Sequence, residues 1–450
     1  MAEIRVSSSR SERLDALPFT REHRSVLVGS GLGWALDAMD VGLISFVLAQ
    51  LAVQWSASDV ELSWIASAGF IGMAIGAVLG GLLADRIGRR QVFALTLLVY
   101  GLATGASALS ETVAVLIAWR FVVGLGLGGE LPVASTLVSE FAPPRIRGRI
   151  IVILESFWAV GWTLSAVIGF LVVPASSDGW RWALAVGAAP AVYAVVVRLR
   201  LPESVRFLES RGRFVEAEST VRRFEKSAGI TAEPNGPVPP ATTGQGVALS
   251  GSRAGVTALW SRGLRRRTGA LWLVWFCVNF SYYGAFIWLP TILVASGYSL
   301  VRSFAYTLII TVAQLPGYAA SAFLIERWGR RRTLAVFLAG SAVSAALFGA
   351  AGDATQVIGA GMLLSFFNLG AWGALYAVTP ELYPTRIRAT GAGWAAGIGR
   401  IAAIVAPLSV PLLRGTGGTA LLFTVFALFF VIAALGALGL PEKRGEALED

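Results

Sequence analysis

The run Asp85-Arg86-Ile87-Gly88-Arg89-Arg90 returns later in the chain as Glu326-Arg327-Trp328-Gly329-Arg330-Arg331. A second pair of motifs keeps the same offset. Glu140 opens a stretch ending Pro143-Pro144-Arg145-Ile146-Arg147-Gly148, and Glu381 opens one ending Pro384-Thr385-Arg386-Ile387-Arg388-Ala389. Each charged motif sits between long apolar runs. Two charged motifs repeated at one offset indicate a duplicated unit, and short charged turns between apolar segments are the layout of a membrane protein with two homologous halves.

Composition agrees. The chain is 55% hydrophobic and 14% charged, with mean hydropathy +0.68, whereas soluble domains carry about a quarter charged residues. Apolar stretches long enough to cross the hydrocarbon layer recur along the whole length. They predict an all-α membrane protein with about twelve transmembrane helices in two pseudo-symmetric six-helix bundles. The expected division is a tail at 1–25, a first bundle at 26–200, a central loop at 201–268, a second bundle at 269–439 and a tail at 440–450. In the loop, Val205, Leu208, Phe214, Val221 and Phe224 recur at helical spacing and predict short surface helices. Residues 231–252 are rich in Pro, Gly, Ser and Thr and read as a flexible linker.

Charge sets the orientation. If the N-terminus is placed in the cytoplasm, the outer loops hold only Arg181, Arg302 and Arg414, and Arg120 and Arg400 fall inside spans. The remaining basic residues all lie on the inner side, as the positive-inside rule requires. Both termini are therefore expected in the cytoplasm. The net charge of +10 is topological, spread over every inner loop, so no nucleic-acid partner is expected. Residues 1–25 are polar and lead directly into a full-length span, so no cleavable signal is expected. The sole cysteine, Cys277, lies in an apolar run, and the sole histidine, His23, precedes span 1. No metal-ligand cluster, nucleophile triad or phosphate loop is visible, so neither a metal, a cofactor nor an enzyme activity is expected.

Several residues carry chemistry that an apolar span does not need. Asp37 and Asp40 lie three apart in span 1, on neighbouring parts of one helix face. A carboxylate at that depth is costly unless paired or hydrated, so a proton-carrying role or a structural pairing is expected, with Arg120 of span 4 as the candidate partner. Glu130 lies ten residues deeper in span 4 than Arg120. Glu155 in span 5 maps by the repeat offset to Ala396, and Arg400 stands one turn beyond. Arg400 either binds a carboxylate of the cargo or pairs with Glu155 between the halves. Trp158, Trp162, Tyr282, Tyr283, Trp288, Trp372 and Tyr376 are candidates to sandwich an aromatic ring, and Asn279 and Asn368 are candidates to hydrogen-bond one. Asp85, Arg86, Arg89, Glu326 and Arg330 are expected in an inner gate, together with the pairs Glu140 with Arg147 and Glu381 with Arg388.

The loop at 81–90 resembles the hallmark loop of the major facilitator superfamily. Arg120-Phe121-Val122-Val123-Gly124 resembles its span 4 element, and Leu201-Pro202-Glu203-Ser204 resembles its element after span 6, echoed by Leu440-Pro441-Glu442-Lys443-Arg444-Gly445. The runs 33–42, 128–140, 154–162, 280–284, 313–318 and 365–373 resemble the bacterial niacin permeases more closely. Those permeases are relatives of the aromatic-acid and organic-ion transporters. The resemblance implies a monomeric transporter of the bacterial inner membrane, with a small aromatic carboxylate as cargo and alternating access. The aromatic-acid family has a similar Asp-x-x-Asp in span 1, which implies proton symport through Asp37 or Asp40. Another aromatic acid, an organic ion or a sugar are the alternative cargoes, and a non-transporting receptor is the alternative class.

Overall fold

The computed structural model describes residues 9–230, 256–384 and 387–442. The expected linker at 231–252 and Arg386 lie outside the described residues. A short helix α1 (Arg10–Asp15) precedes the first half, which contains α2 (Arg21–Gln54), α3 (Asp59–Ile87), α4 (Arg89–Ser107), α5 (Val113–Phe141), α6 (Arg147–Leu171), α7 (Gly179–Val186) and α8 (Ala189–Arg200). The helices α9 (Val205–Ser210), α10 (Phe214–Ser227) and α11 (Val256–Leu259) follow. The second half contains α12 (Arg265–Ala295), α13 (Leu300–Val312), α14 (Gln314–Trp328), α15 (Arg330–Gly349), α16 (Ala354–Glu381) and α17 (Arg388–Leu438).

Among the described residues, 10 segments are long and apolar enough to cross a membrane. Two of them are composite: α7 with α8, and α13 with α14, each form one crossing. The last segment counts twice. Gly399 packs against Asn279 and Gly436 against Val274, so both arms of α17 run along α12. The chain reverses between them at Gly417 and Gly418, whose backbone leaves the helical region. The 19-residue α4 packs between α5 and α8, in the place of the remaining expected span. A helix is the natural state of such segments because the apolar layer offers no partner for an open backbone N–H or C=O.

Within the first half α3 lies along α5 and α2 along α6; within the second, α12 lies along α17 and α16 between α14 and α15. The α3–α5 approach is close because a side chain on Gly72 would strike the Phe121 carbonyl, and one on Gly124 would strike that of Gly69. The halves meet along α2 with α12, α3 with α17, and α6 with α13, α14 and α16.

The repeated motifs build the same turn twice. Glu203 Oε1 accepts hydrogen bonds from the Arg89 and Arg90 amides at 2.9 and 3.2 Å, and so caps α4. Glu442 accepts from the Arg330 and Arg331 amides at 3.0 and 3.2 Å, and so caps α15. A carboxylate at a helix N-terminus satisfies free amides and complements the helix dipole. The preceding glycines, Gly88 and Gly329, have φ of 108° and 88°. A Cβ on either would strike the capping carboxylate. The two Pro-Glu elements are therefore parts of the turns, over a hundred residues away in sequence.

The other ion pairs of this face differ from those expected. Glu140 accepts from Ser204 Oγ and lies 3.9 Å from Arg89 Nε, while Glu381 binds Arg330 at 3.1 Å. Arg147 does not reach Glu140; it binds Asp15 at 3.0 Å and the Ala142 carbonyl at 3.2 Å. Arg388 donates to the Tyr383 carbonyl at 3.3 Å. The reason is competition: Arg89 and Ser204 already occupy Glu140, and α1 brings Asp15 to Arg147. Asp85 pairs with Arg89 at 3.0 Å but stays largely exposed, Arg86 gives its carbonyl to Arg211, and Glu326 is exposed.

Helix α1 begins with a capping box, Ser9 with Glu12. Its arginines clamp the helices after the first half: Arg10 binds Glu209 and Glu218 at 3.1 and 3.0 Å, and Arg13 binds Glu218 and Glu225 at 3.0 and 2.8 Å. Burial pushes the Glu218 carboxyl up, but hydrogen bonds from Arg222 and Arg13 outweigh it and hold it below the usual carboxylate range. A depressed carboxyl stabilises the docked state above its free value, about pH 4.3, and the contribution is lost as pH falls through the lower, folded value. The protection factors of the amides at residues 10–15, exchange rates divided into the intrinsic rate at each pH, are therefore expected to be high at neutral pH and to fall in acid before those of the spans do. Gly88→Ala is expected to cost about 1–3 kcal/mol from the left-handed backbone alone, read as a lowered midpoint of thermal unfolding in detergent.

Candidate functional site

Between the halves a cavity with about 310 Å³ of empty space is lined by Trp34, Glu155, Trp158, Tyr282, Tyr283, Tyr318, Trp372, Tyr376 and Arg400. The first half supplies α2 and α6, and the second supplies α12, α14, α16 and α17. The rings are held by one another. Trp34 and Trp158 have centroids 5.0 Å apart, Tyr282 lies 5.7 Å from Trp372, and Trp372 stacks on Tyr376 at 5.7 Å. Trp158 Nε1 donates to Tyr282 Oη at 3.3 Å, a contact between the halves. Such a box offers ring faces for stacking and a polar rim of hydroxyls.

Two charged side chains enter this box. Arg400 reaches across to Met73 Sδ at 3.8 Å and makes no ion pair among the described residues. Glu155 is 4% exposed and faces Trp34 and Arg400. Arg400 and Glu155 are the charged groups of an otherwise aromatic chamber.

A separate charged centre lies in the first half. Arg120 Nη1 binds Asp40 Oδ2 at 2.9 Å, with the two side chains 4% and 0% exposed. Thr104 Oγ1 donates to the other oxygen at 2.6 Å. Asp37, one turn away, is equally buried and has no hydrogen-bond partner among the described residues. The two aspartates thus differ in surroundings, which their spacing alone did not indicate.

Of the other candidates, Trp162 backs the box through Trp158 and Tyr282. Asn279 donates to the Trp275 carbonyl at 2.7 Å and packs against Gly399, so it tightens the α12–α17 contact outside the cavity. Trp288 and Asn368 are buried without lining the cavity, and the polar atoms of both side chains lack partners among the described residues. Sequence reasoning did not assign Tyr318, since nothing in its run separates it from lipid-facing aromatics. It also did not assign Glu203 and Glu442, although the repeated Leu-Pro-Glu was a usable signal.

The contacts of α17 with α3 show where the halves are closed. Arg414 binds Asp59 at 2.9 Å, Ser67 Oγ donates to the Ile404 carbonyl at 3.0 Å, and Arg400 meets Met73. All three lie on the half of α3 remote from the repeated turns. At the turn end, a groove of about 750 Å³ runs between α3 and α5, lined by Val78, Asp85, Arg89 and Thr136 among others. The halves are thus in contact beyond the cavity.

A family model described as sugar (and other) transporter matches residues 20–450. The chain belongs to that family. It is 47% identical to the niacin transporter NiaP of Acinetobacter baylyi over 97% of this chain and 98% of that protein. It is 46% identical to the putative niacin/nicotinamide transporter NiaP of Bacillus subtilis over 94% and 97%. In fold it resembles the xylose transporter XylE of E. coli in a partially occluded inward-open conformation, with TM-score 0.75 at 18% identity, covering 95% of this chain and 99% of that one. The chain is thus a multi-pass membrane transporter of the major facilitator fold, and the cavity lies between its two halves.

If the Asp40–Arg120 pair holds the first half together, Arg120→Gln should destabilise it by about 3–5 kcal/mol, because it strands a buried carboxylate. The double variant Asp40→Asn with Arg120→Gln should cost less than the two single variants summed, in chemical unfolding of the purified protein.

Proposed function

We propose that this transporter imports niacin, a pyridine carboxylate, by alternating access in symport with protons. The reading is carried by one observation: Arg400 stands without an ion-pair partner among the described residues in a chamber walled by tryptophan and tyrosine rings. The guanidinium takes the cargo carboxylate in two parallel hydrogen bonds, the rings of Trp34, Trp158, Tyr282 and Trp372 stack on the pyridine, and Glu155 in its protonated form donates a hydrogen bond to the ring nitrogen. Niacin carries an anionic group and a basic nitrogen, and Arg400 and Glu155 are complementary to both. The names of the two bacterial relatives support the same cargo.

In this reading the cargo bridges the halves and lets the molecule rock about it. The contact of Arg414 with Asp59 opens, and the turns around Asp85, Arg86, Arg89, Glu326 and Arg330 close with Glu140, Arg147, Glu381 and Arg388 as the inner gate. Asp40 and Arg120 couple the proton: protonation of Asp40 frees Arg120 and loosens α2 against α5. The protein works as a monomer in the bacterial inner membrane with both termini in the cytoplasm, and it does no covalent chemistry.

Uptake of labelled nicotinate into proteoliposomes is expected to saturate, and to exceed equilibrium only with an inward proton gradient. Absence of saturation would remove the cargo assignment, and indifference to the gradient would remove the coupling. Arg400→Gln should weaken nicotinate binding about 10- to 150-fold, the loss of a charged hydrogen-bonded contact of about 1.5–3 kcal/mol. Glu155→Gln should narrow the preference for nicotinate over benzoate, since the two differ at the ring nitrogen.

A further inference from the structure

Helices α2 and α5 carry a second pair of carboxyls into the apolar core, and the cavity does not use them. Asp37 is 1% exposed and Glu130 0%. Glu130 Oε1 lies 2.7 Å from where a Cβ on Gly33 would stand. Gly33 and Asp37 are four apart and share one face of α2. The missing side chain at Gly33 is the opening through which Glu130 meets Asp37. Among the described residues, none of the four carboxyl oxygens has a hydroxyl, amide or cation as hydrogen-bond partner.

The charged and titratable neighbours are all engaged or unsuitable. On α2, Asp40 is taken by Arg120 and Thr104. On α5, Arg120 is the nearby cation, and its ion pair goes to Asp40. On α4, the Tyr100 hydroxyl lies beside Asp37 without hydrogen-bond geometry. On α8, Tyr193 donates to the Gly29 carbonyl at 2.7 Å. On α6, Glu155 faces Trp34 and the cavity. No positive charge answers the pair. Two ionised carboxylates in contact, sealed from water, repel at low dielectric, and a proton between them turns repulsion into a hydrogen bond.

We propose that Asp37 and Glu130 form a carboxyl–carboxylate pair that carries at least one proton, a second proton-binding site separate from Asp40 and Arg120. One carboxyl O–H donates to an oxygen of the other. Taking up that proton changes the charge of the pair from −2 to −1 and breaks no bond within the protein. Trp34 stands one turn from Asp37 and lines the cavity, so cargo pressing on Trp34 bears on the pair. This deepens the proton coupling proposed above, but the pair itself does not depend on the identity of the cargo.

Infrared spectroscopy of the purified full-length transporter in lipid tests it without any substrate. At neutral pH the protein is expected to show a protonated-carboxyl C=O band that disappears in Asp37→Asn with Glu130→Gln. Each single variant should shift that band, because the remaining carboxyl loses its partner, while Arg400→Gln should leave it in place. Absence of the band in the unaltered protein overturns the proposal, and so does a band unchanged in the double variant. The first measurement needs no variant to fold. Failure of nicotinate uptake would leave the infrared result standing, so the two readings fail separately.

Discussion

A charge carried into an apolar interior must be matched from inside the protein, because neither water nor lipid will do it. That constraint sorts the buried groups of this transporter. Asp40 is matched by Arg120 and Thr104, and the match ties α2 to α4 and α5. Arg400 makes no ion pair among the described residues and sits where the halves meet. Asp37 and Glu130 face each other, with the Tyr100 hydroxyl beside Asp37 and no cation among the described residues paired to either. The first arrangement is architecture, the second is the proposed place for a cargo, and the third is the proposed place for a proton.

The same rule governs the ends of the helices. Sharp turns between spans leave helix amides free at the face that carries the repeated motifs. Each half solves this with a glutamate from after its last span, Glu203 in one and Glu442 in the other. The glycine before each capped helix leaves room for the carboxylate. Two ends of a bundle are thereby tied across more than a hundred residues of chain.

Much of the architecture was legible in the primary structure. The repeat at 85 and 326, the apolar runs and the one-sided basic residues are local features, and a helix in an apolar layer satisfies its backbone without outside help. The aromatic box was partly legible: Trp158, Tyr282, Trp372 and Tyr376 were candidates, but so were Trp288 and Asn279, which the fold places elsewhere. An aromatic residue in a span looks the same whether it faces a cavity, a neighbouring helix or lipid. The expected pairing of Glu140 with Arg147 failed because proximity in sequence does not rank competing partners. Arg89, Ser204 and Asp15 come from three other parts of the chain and reach these groups first.

By itself, then, the amino-acid sequence determined that the chain crosses a membrane repeatedly, that it was built by duplication, and which residue types break the symmetry. Those properties depend on composition, segment length and offset, all of which are one-dimensional. The tertiary structure alone decided which carboxylate each cation serves. It gave Arg120 to Asp40, left Asp37 to Glu130, and set Arg400 among rings from five helices. Electrostatic partnership at low dielectric is settled over a few ångströms, and only the packed helices bring residues from distant turns that close.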